Sequence, residues 1–319
     1  MKARYEKMST AIPELEWELL APEIEAIMRL KRQRNAIVLA HNYQTPDIYH
    51  GIADLAGDSL ALARGAANTE AEVIVMCGVR FMAETAKLLN PGKKVLLPDS
   101  EAGCSLADSI GVEDIRELRR RHPGLPIVTY INTSVEVKAA CDICCTSSNA
   151  RQVVESLDRP QVIFVPDEYL AGHVAMQTRV EIIPWAGHCE VHERFTGDEI
   201  RQYRRNFAEL AVIAHPECPP DVLATADFVG STAQMISYVK KHKPPRVMLV
   251  TECSMSDNVA AEIEGVEFVR PCNLCPYMKK ITLRKVRQAL ETLAGEIEIE
   301  PVTAAFARRC VERMLQVGV

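Results

Sequence analysis

The sequence predicts an α/β protein: three similar α/β/α domains, each with a small parallel sheet, arranged around a pseudo-threefold axis with the active site at its centre. Three observations predict it. First, short apolar runs at 36–40, 73–77, 94–98, 126–131, 161–165, 180–184, 211–214, 246–250 and 266–269 alternate with helix-like segments or turns, which is the pattern of parallel strands covered by helices. Second, "IVLAHNY…ADLAGDS…VIVMCGVRF…LLPDSEAGC", "IVTYINT…CDICCTS…VIFVPDEYL…IIPWAGHC" and "VIAHPEC…ADFVGST…VMLVTECSM…FVRPCNLC" carry the same four parts in the same order. Third, the spacing repeats: Tyr43, Asn132 and Glu217 precede Asp54, Asp142 and Asp227 by 11, 10 and 10 residues, and Ser59, Ser147 and Thr232 follow those aspartates by 5 each.

The elements follow in chain order. Residues 1–34 read as an N-terminal helix, because Leu15, Leu19, Leu20, Ile24, Ile27 and Met28 recur at helical spacing among charges. The repeats are expected at 35–122, 123–207 and 208–278, with C-terminal helices at 279–319 packing back on the core. Units of about 85 residues are too small to be very stable alone, so three of them are expected to close on one another.

Composition narrows the function. The 319 residues are 48% hydrophobic, enough for several small cores, while a formal charge of -6 without a long basic run excludes nucleic acid as the main partner. Neither a signal peptide nor an apolar run of the ~20 residues needed for a membrane span is recognisable, so the chain reads as cytoplasmic with no membrane partner. Eleven cysteines are many for a reducing compartment, where disulfides rarely persist.

In parallel α/β units, function gathers at the carboxyl ends of the strands. The strand tips carry His41 and Tyr43, Tyr130 and Asn132, His215 and Glu217. Ser59, Ser147 and Thr232 each precede a helical pattern and read as N-caps, so three helix N-termini would face one cavity and bind a multiply anionic ligand.

The Cys-x-x-Cys of "RPCNLCPYM" is open to three readings: metal ligands, a redox dithiol, or buried filler. A set of one cysteine per repeat explains why Cys104, Cys189 and Cys275 lie 85 and 86 residues apart. Three thiolates favour a soft metal or an iron–sulfur cluster, whereas structural zinc wants four closed ligands. A 4Fe-4S cluster on three cysteines leaves one iron open as a Lewis acid, suited to dehydrating a carboxylate-bearing substrate. Cys77, Cys218, Cys253 and Cys310 read as core or supporting residues.

The motifs "AHNYQ", "GDSL", "CGVRFMAETAK", "AGCSLAD", "YINTS", "TSSNA", "GHCEVHERF", "AHPEC", "GSTAQM" and "CNLCPYMK" together resemble the bacterial quinolinate synthase family over residues 36–285. The resemblance implies condensation of iminoaspartate with dihydroxyacetone phosphate to quinolinate, phosphate and water in de novo NAD biosynthesis. It also implies a 4Fe-4S cluster on Cys104, Cys189 and Cys275, and coupling to L-aspartate oxidase. His41, Ser59, Tyr130, Asn132, Ser147, His215 and Thr232, with Glu217, are implied as substrate-holding groups, and Tyr43, Glu217, His41 and His215 as catalytic ones. Glu217 would take the C3 proton of iminoaspartate, and Tyr43 would donate to a departing hydroxyl or assist triose isomerisation. Where some members carry a third Cys after Cys-x-x-Cys, this chain has Met278, and the sequence leaves open whether Cys272 forms a reversible disulfide with Cys275. The competing readings are an aconitase-like hydro-lyase acting on another dicarboxylate and a redox-sensing regulator, although the latter lacks a basic helix-turn-helix.

Overall fold

Aliphatic runs become strands in a computed structural model that describes residues 5–6, 8–9 and 11–317; the ends of the expected 1–34 and 279–319 segments, at 1–4, 7, 10, 318 and 319, lie outside the described residues. The strands are β1 (Ala36–His41), β2 (Leu55–Gly57), β3 (Val73–Cys77), β4 (Lys94–Leu96), β5 (Ile127–Tyr130), β6 (Ile143–Cys145), β7 (Gln161–Val165), β8 (Glu181–Pro184), β9 (Leu210–Ala214), β10 (Phe228–Val229), β11 (Arg246–Val250) and β12 (Glu267–Phe268). They form three four-stranded sheets, β2-β1-β3-β4, β6-β5-β7-β8 and β10-β9-β11-β12, and every pair is parallel. The central strands of each sheet are almost wholly buried, which is why they read as continuous apolar runs and not as alternating ones.

Each sheet is held to the helix before it by the same latch. The repeat aspartate accepts the backbone N–H of a residue at or near the start of the first strand: Asp54 from Val38 (2.8 Å), Asp142 from Ile127 (2.7 Å) and Asp227 from Val212 (2.8 Å). It also pairs with a cation from the preceding helix: Lys31 of Glu14–Gln33 (2.8 Å), Arg119 of Val112–Arg121 (3.2 Å) and Arg204 of Gly197–Asn206 (2.8 Å). The same cation donates to the carbonyl two residues before the aspartate, on Ile52, Ala140 and Thr225.

The three repeats touch at the carboxyl ends of their strands. Ser148 donates its hydroxyl proton to Asp58 (2.6 Å) and is hydrogen-bonded to the Ser231 hydroxyl (2.7 Å), so the three units meet in one hydrogen-bonded cluster. Asn42 reaches Thr232 (2.8 Å), and Tyr130 reaches Glu217 (2.6 Å). Outside them, helix Leu283–Thr292 packs on Glu14–Gln33, and helix Pro301–Gln316 covers Val135–Ala140 and β6. Among the described residues no helix is long and apolar enough to cross a membrane.

Two local expectations change. The first helix buries Trp17, Ile24, Ile27 and Lys31, while Leu15 and Leu19 are 75% and 74% exposed. Cys253, read as a core residue, is disulfide-bonded to Cys272, with Cα atoms 4.9 Å apart; Cys272 is therefore not paired with Cys275.

The latch makes a quantitative expectation. Asp227→Ala leaves the Val212 N–H and the Arg204 guanidinium without their carboxylate, and should lower unfolding free energy by ~1.5–3 kcal/mol. Asp54→Ala and Asp142→Ala should lose about as much, read as a shifted urea midpoint at constant slope; an unchanged midpoint in all three would reject the latch.

Candidate active site

The ends of the first strands aim polar groups at a common cavity. It is lined by His41, Tyr43, Ser59, Cys104, Tyr130, Asn132, Ser147, Cys189, His215, Glu217, Thr232 and Cys275, so the fold brings together every residue singled out from the sequence. Cys272 does not line it.

His41 and His215 occupy the same position in their repeats and use the same contact. Each Nδ1 accepts the backbone N–H two residues on, from Tyr43 (3.3 Å) and Glu217 (3.4 Å). That contact leaves the ring proton on Nε2, a donor on the other edge of the imidazole. Burial lowers both groups to about 3, with the nearby Glu217 carboxylate only partly opposing it, so both are neutral at pH 7. In the second repeat Tyr130 stands at that place.

Glu217 is the centre of a buried network. Tyr130 donates to its Oε1 (2.6 Å), with Asn132 Nδ2 at 3.5 Å, while His192 Nδ1 lies 2.8 Å from Oε2. Burial alone would raise this carboxyl; the flanking His215 and His192 and the hydrogen bonds from His192 and Tyr130 outweigh it and hold Glu217 below the usual carboxylate range. On the far side of His192, Nε2 is 2.9 Å from Thr251 Oγ1, which in turn is 2.5 Å from the Tyr43 hydroxyl. Burial and the Glu217 charge push Tyr43 and Tyr130 well above the usual phenol range, so both remain protonated.

The hydroxyls Ser59, Ser147 and Thr232 reach the cavity but are not N-caps, which corrects that expectation. Asp58 caps Ser59–Asn68 through Ala61 N–H (2.8 Å), and Ser231 caps Thr232–His242 through Gln234 N–H (3.3 Å). Because the capping task falls one residue earlier, Ser59 and Thr232 become the first helical residues, where backbone N–H groups have no partner inside the helix. The second repeat departs from the other two: helix Ala150–Ser156 begins later and has no side-chain cap, and Ser147 sits in the turn before it.

The three cysteines share one local geometry. The N–H groups two and three residues after each one, of Leu106 and Ala107, Val191 and His192, and Tyr277 and Met278, are directed to its sulfur. Such donors stabilise metal-bound thiolate. Burial nevertheless raises all three thiols, Cys104 to about 12, and the Glu217 charge with the other thiols adds to the rise at Cys104 and Cys189. Three thiols so placed, with a carboxylate beside them, form a donor set that needs a cation, and a 4Fe-4S cluster on Cys104, Cys189 and Cys275 fits it.

Sequence reasoning missed His192, Thr251, Glu252 and Lys279. Lys279 donates to Tyr43 O (2.6 Å) and Ser254 (2.8 Å) and pairs with buried Glu252 (2.8 Å), tying the Cys275 loop to the first-repeat strand tip. His192 and Lys279 stood inside the quoted motifs "GHCEVHERF" and "CNLCPYMK", but neither has a counterpart in the other repeats, and repetition was the signal in use.

Comparison with known proteins gives a consistent picture. Residues 25–316 match the family model described as "NadA: Quinolinate synthetase A protein". The chain is 64% identical over 313 residues to quinolinate synthase 2 of Mesorhizobium japonicum, spanning 98% of this chain and 97% of that one. It is 62% identical to quinolinate synthase of Agrobacterium fabrum (98% and 91%) and 52% identical to that of Caulobacter vibrioides (98% and 86%).

The two strand-end histidines set a pH dependence. Their folded values lie below the ordinary 6.5, so between about 3 and 6.5 the unfolded chain binds more protons. Their contribution is complete above about 6.5 and is lost as pH falls toward about 3. Nitrogen-15 spectra should show both rings as neutral Nε2–H tautomers at about pH 5; imidazolium signals there would contradict the geometry.

Proposed function

The chain belongs to the quinolinate synthetase A family, and from that premise we propose that it makes quinolinate in de novo NAD biosynthesis, condensing iminoaspartate with dihydroxyacetone phosphate with loss of phosphate and water. The observation that carries this reading is one cysteine from each repeat lining the same cavity as Glu217 and the strand-end donors. Cys104, Cys189 and Cys275 would hold a 4Fe-4S cluster. When bound, that cluster supplies an open iron as Lewis acid for the loss of water.

The protein's own groups do the rest. Neutral His41 and His215 offer Nε2–H donors, and Ser59, Ser147 and Thr232 offer hydroxyls beside two capped helix starts, a set suited to carboxylate and phosphate oxygens. Asn132 Oδ1 is buried without a partner and supplies an acceptor. Glu217 is ionised, but the donors from Tyr130 and His192 weaken it as a base; substrate that draws those donors away would raise its basicity at the C3 proton. Once Glu217 holds that proton and His192 carries its own on Nε2, Nδ1 can accept from Glu217 while Nε2–H passes a proton to Thr251 and so toward Tyr43, over contacts of 2.8, 2.9 and 2.5 Å. Tyr43, protonated and buried, is then the acid for a departing hydroxyl or the partner in triose isomerisation.

We also propose repeat units at 35–122, 123–207 and 208–278, flanked by 1–34 and 279–319, since the three sheets fall within these limits. An imine hydrolyses readily in water, so supply from L-aspartate oxidase in the cytoplasm completes the proposal.

Anaerobic reconstitution should give brown protein with about four iron and four sulfide per chain. Cys104→Ser, Cys189→Ser and Cys275→Ser should each lose it, and Cys272→Ser should keep it. Tyr43→Phe should retain the cluster yet form quinolinate ~100- to 10,000-fold more slowly. Absence of quinolinate from the wild-type holoprotein, with a hydroxy acid dehydrated instead, would overturn the assignment.

A further inference from the structure

Cys189, His192 and Glu217 form a second donor set within the cavity, different from the three cysteines. One ligand atom from each, Cys189 Sγ, a His192 ring nitrogen and a Glu217 oxygen, lies within 4.8 Å of the others. His192 Nδ1 is 3.2 Å from Cys189 Sγ and 2.8 Å from Glu217 Oε2, with His192 and Glu217 almost fully buried. We propose that the cluster-free protein binds a single divalent zinc-type cation here, through Cys189 Sγ, His192 Nδ1 and Glu217 Oε2, with water in the fourth position.

The geometry is close to what such an ion requires. Tetrahedral zinc with bonds of ~2.3 Å to sulfur and ~2.0–2.2 Å to nitrogen and oxygen separates its ligand atoms by about 3.4–3.6 Å. The His192 Nδ1 separations, 3.2 Å from Cys189 Sγ and 2.8 Å from Glu217 Oε2, would widen by roughly 0.2–0.8 Å to reach that range. The outer partners are already in place: Thr251 Oγ1 lies 2.9 Å from His192 Nε2, and Tyr130 donates to the other Glu217 oxygen at 2.6 Å. Mixed thiolate, imidazole and carboxylate ligation suits zinc and cobalt and excludes hard ions such as magnesium. On binding, Cys189 loses its thiol proton to solvent, His192 carries its remaining proton on Nε2 and Glu217 is already ionised, so cation and ligands sum to neutral.

This site cannot coexist with an iron–sulfur cluster that uses Cys189, and it engages two members of the proton route. Zinc would therefore occupy both a cluster ligand and the acid–base network. The inference goes beyond the proposed function, and it does not require the cluster reading to be correct.

The test uses full-length, reduced, cluster-free protein titrated anaerobically with cobalt(II) and then zinc. Wild type should bind one equivalent of cobalt with a thiolate-to-cobalt charge-transfer band and four-coordinate visible absorption, and zinc should bleach both. Cys104→Ser should bind cobalt as wild type does, whereas Glu217→Gln and His192→Ala, with native circular dichroism, should not. Thr251→Val should weaken binding ~10- to 100-fold. Zinc added first should block subsequent iron and sulfide uptake in wild type but not in His192→Ala. Cobalt bound without the charge-transfer band, or lost in Cys104→Ser and kept in His192→Ala, would overturn the site.

Discussion

A carboxylate shared between a strand N–H and the cation of the helix before it fixes each repeat, and the placement of the site follows from it. Asp54, Asp142 and Asp227 stand immediately before β2 or at its counterpart position before β6 and β10. By bonding back to the first strand, each sets the register of the short strand: Leu39 opposite Leu55, Val128 opposite Ile143, Ile213 opposite Phe228. Because a one-residue slip would turn every side chain to the other face, this single carboxylate determines which residues end up at the strand tips. His41 then falls beside Gly57 and Tyr130 beside Cys145, three residues past the aspartate, and the hydroxyl element follows two residues later. The constant spacing of 5 from aspartate to hydroxyl is thus a consequence of register.

The site itself is organised by one buried charge. Glu217 is fully buried, and His215, His192 and the hydrogen bonds from His192 and Tyr130 hold it ionised there. Burial comes first in keeping the Tyr43 and Tyr130 phenols and the Cys104 and Cys189 thiols protonated, and the Glu217 charge adds to it. Burial is also what outweighs the hydrogen bonds these thiols receive, since at Cys104 the Ala107 N–H opposes it more strongly than the Glu217 charge assists it. The same charge therefore favours the protonated form of both the Tyr43 phenol and the Cys104 and Cys189 thiols.

The sequence revealed what was repeated and hid what was not. Nine strands read as apolar runs, the six central ones because both of their faces are covered, while the edge strands β8 and β12 stay partly exposed. β2, β6 and β10 escaped notice because two or three residues, one of them Gly57, carry no periodicity and draw their structure from the aspartate latch. The helix starts were misplaced by one residue, since Asp58 and Ser59, or Ser231 and Thr232, are equally good caps from sequence and only backbone geometry distinguishes them. Repetition located one cysteine, one hydroxyl and two strand-tip residues per unit, but His192, Thr251 and Lys279 break the symmetry, and nothing in spacing could select them. The pairing of Cys253 with Cys272 was also hidden, because proximity in sequence favoured Cys275 while the bridge between Glu252 and Asn273 brings Cys253 beside Cys272.

Threefold construction and asymmetric chemistry are reconciled by where the symmetry stops. Backbone features recur in all three units: the latch, the parallel sheet, the turn that points two N–H groups at a cysteine. Such features depend on register and tolerate many side chains. Side chains at the strand tips differ instead, with His41 and Tyr43 in one unit, Tyr130 and Asn132 in the next, His215 and Glu217 in the last. On the proposed function, a cluster with three equivalent ligands would need the repeated part, whereas moving a proton from a substrate carbon to a leaving group would need an acid and a base that are not equivalent. With a tyrosine at position 217 the three strand tips would hold no carboxylate; with a carboxylate at position 43 as well, two charges would compete for the same buried space and one would be protonated. One carboxylate among three equivalent tips is therefore the arrangement in which an ionised group and a protonated phenol share one buried cavity, as the proposed base and acid would require.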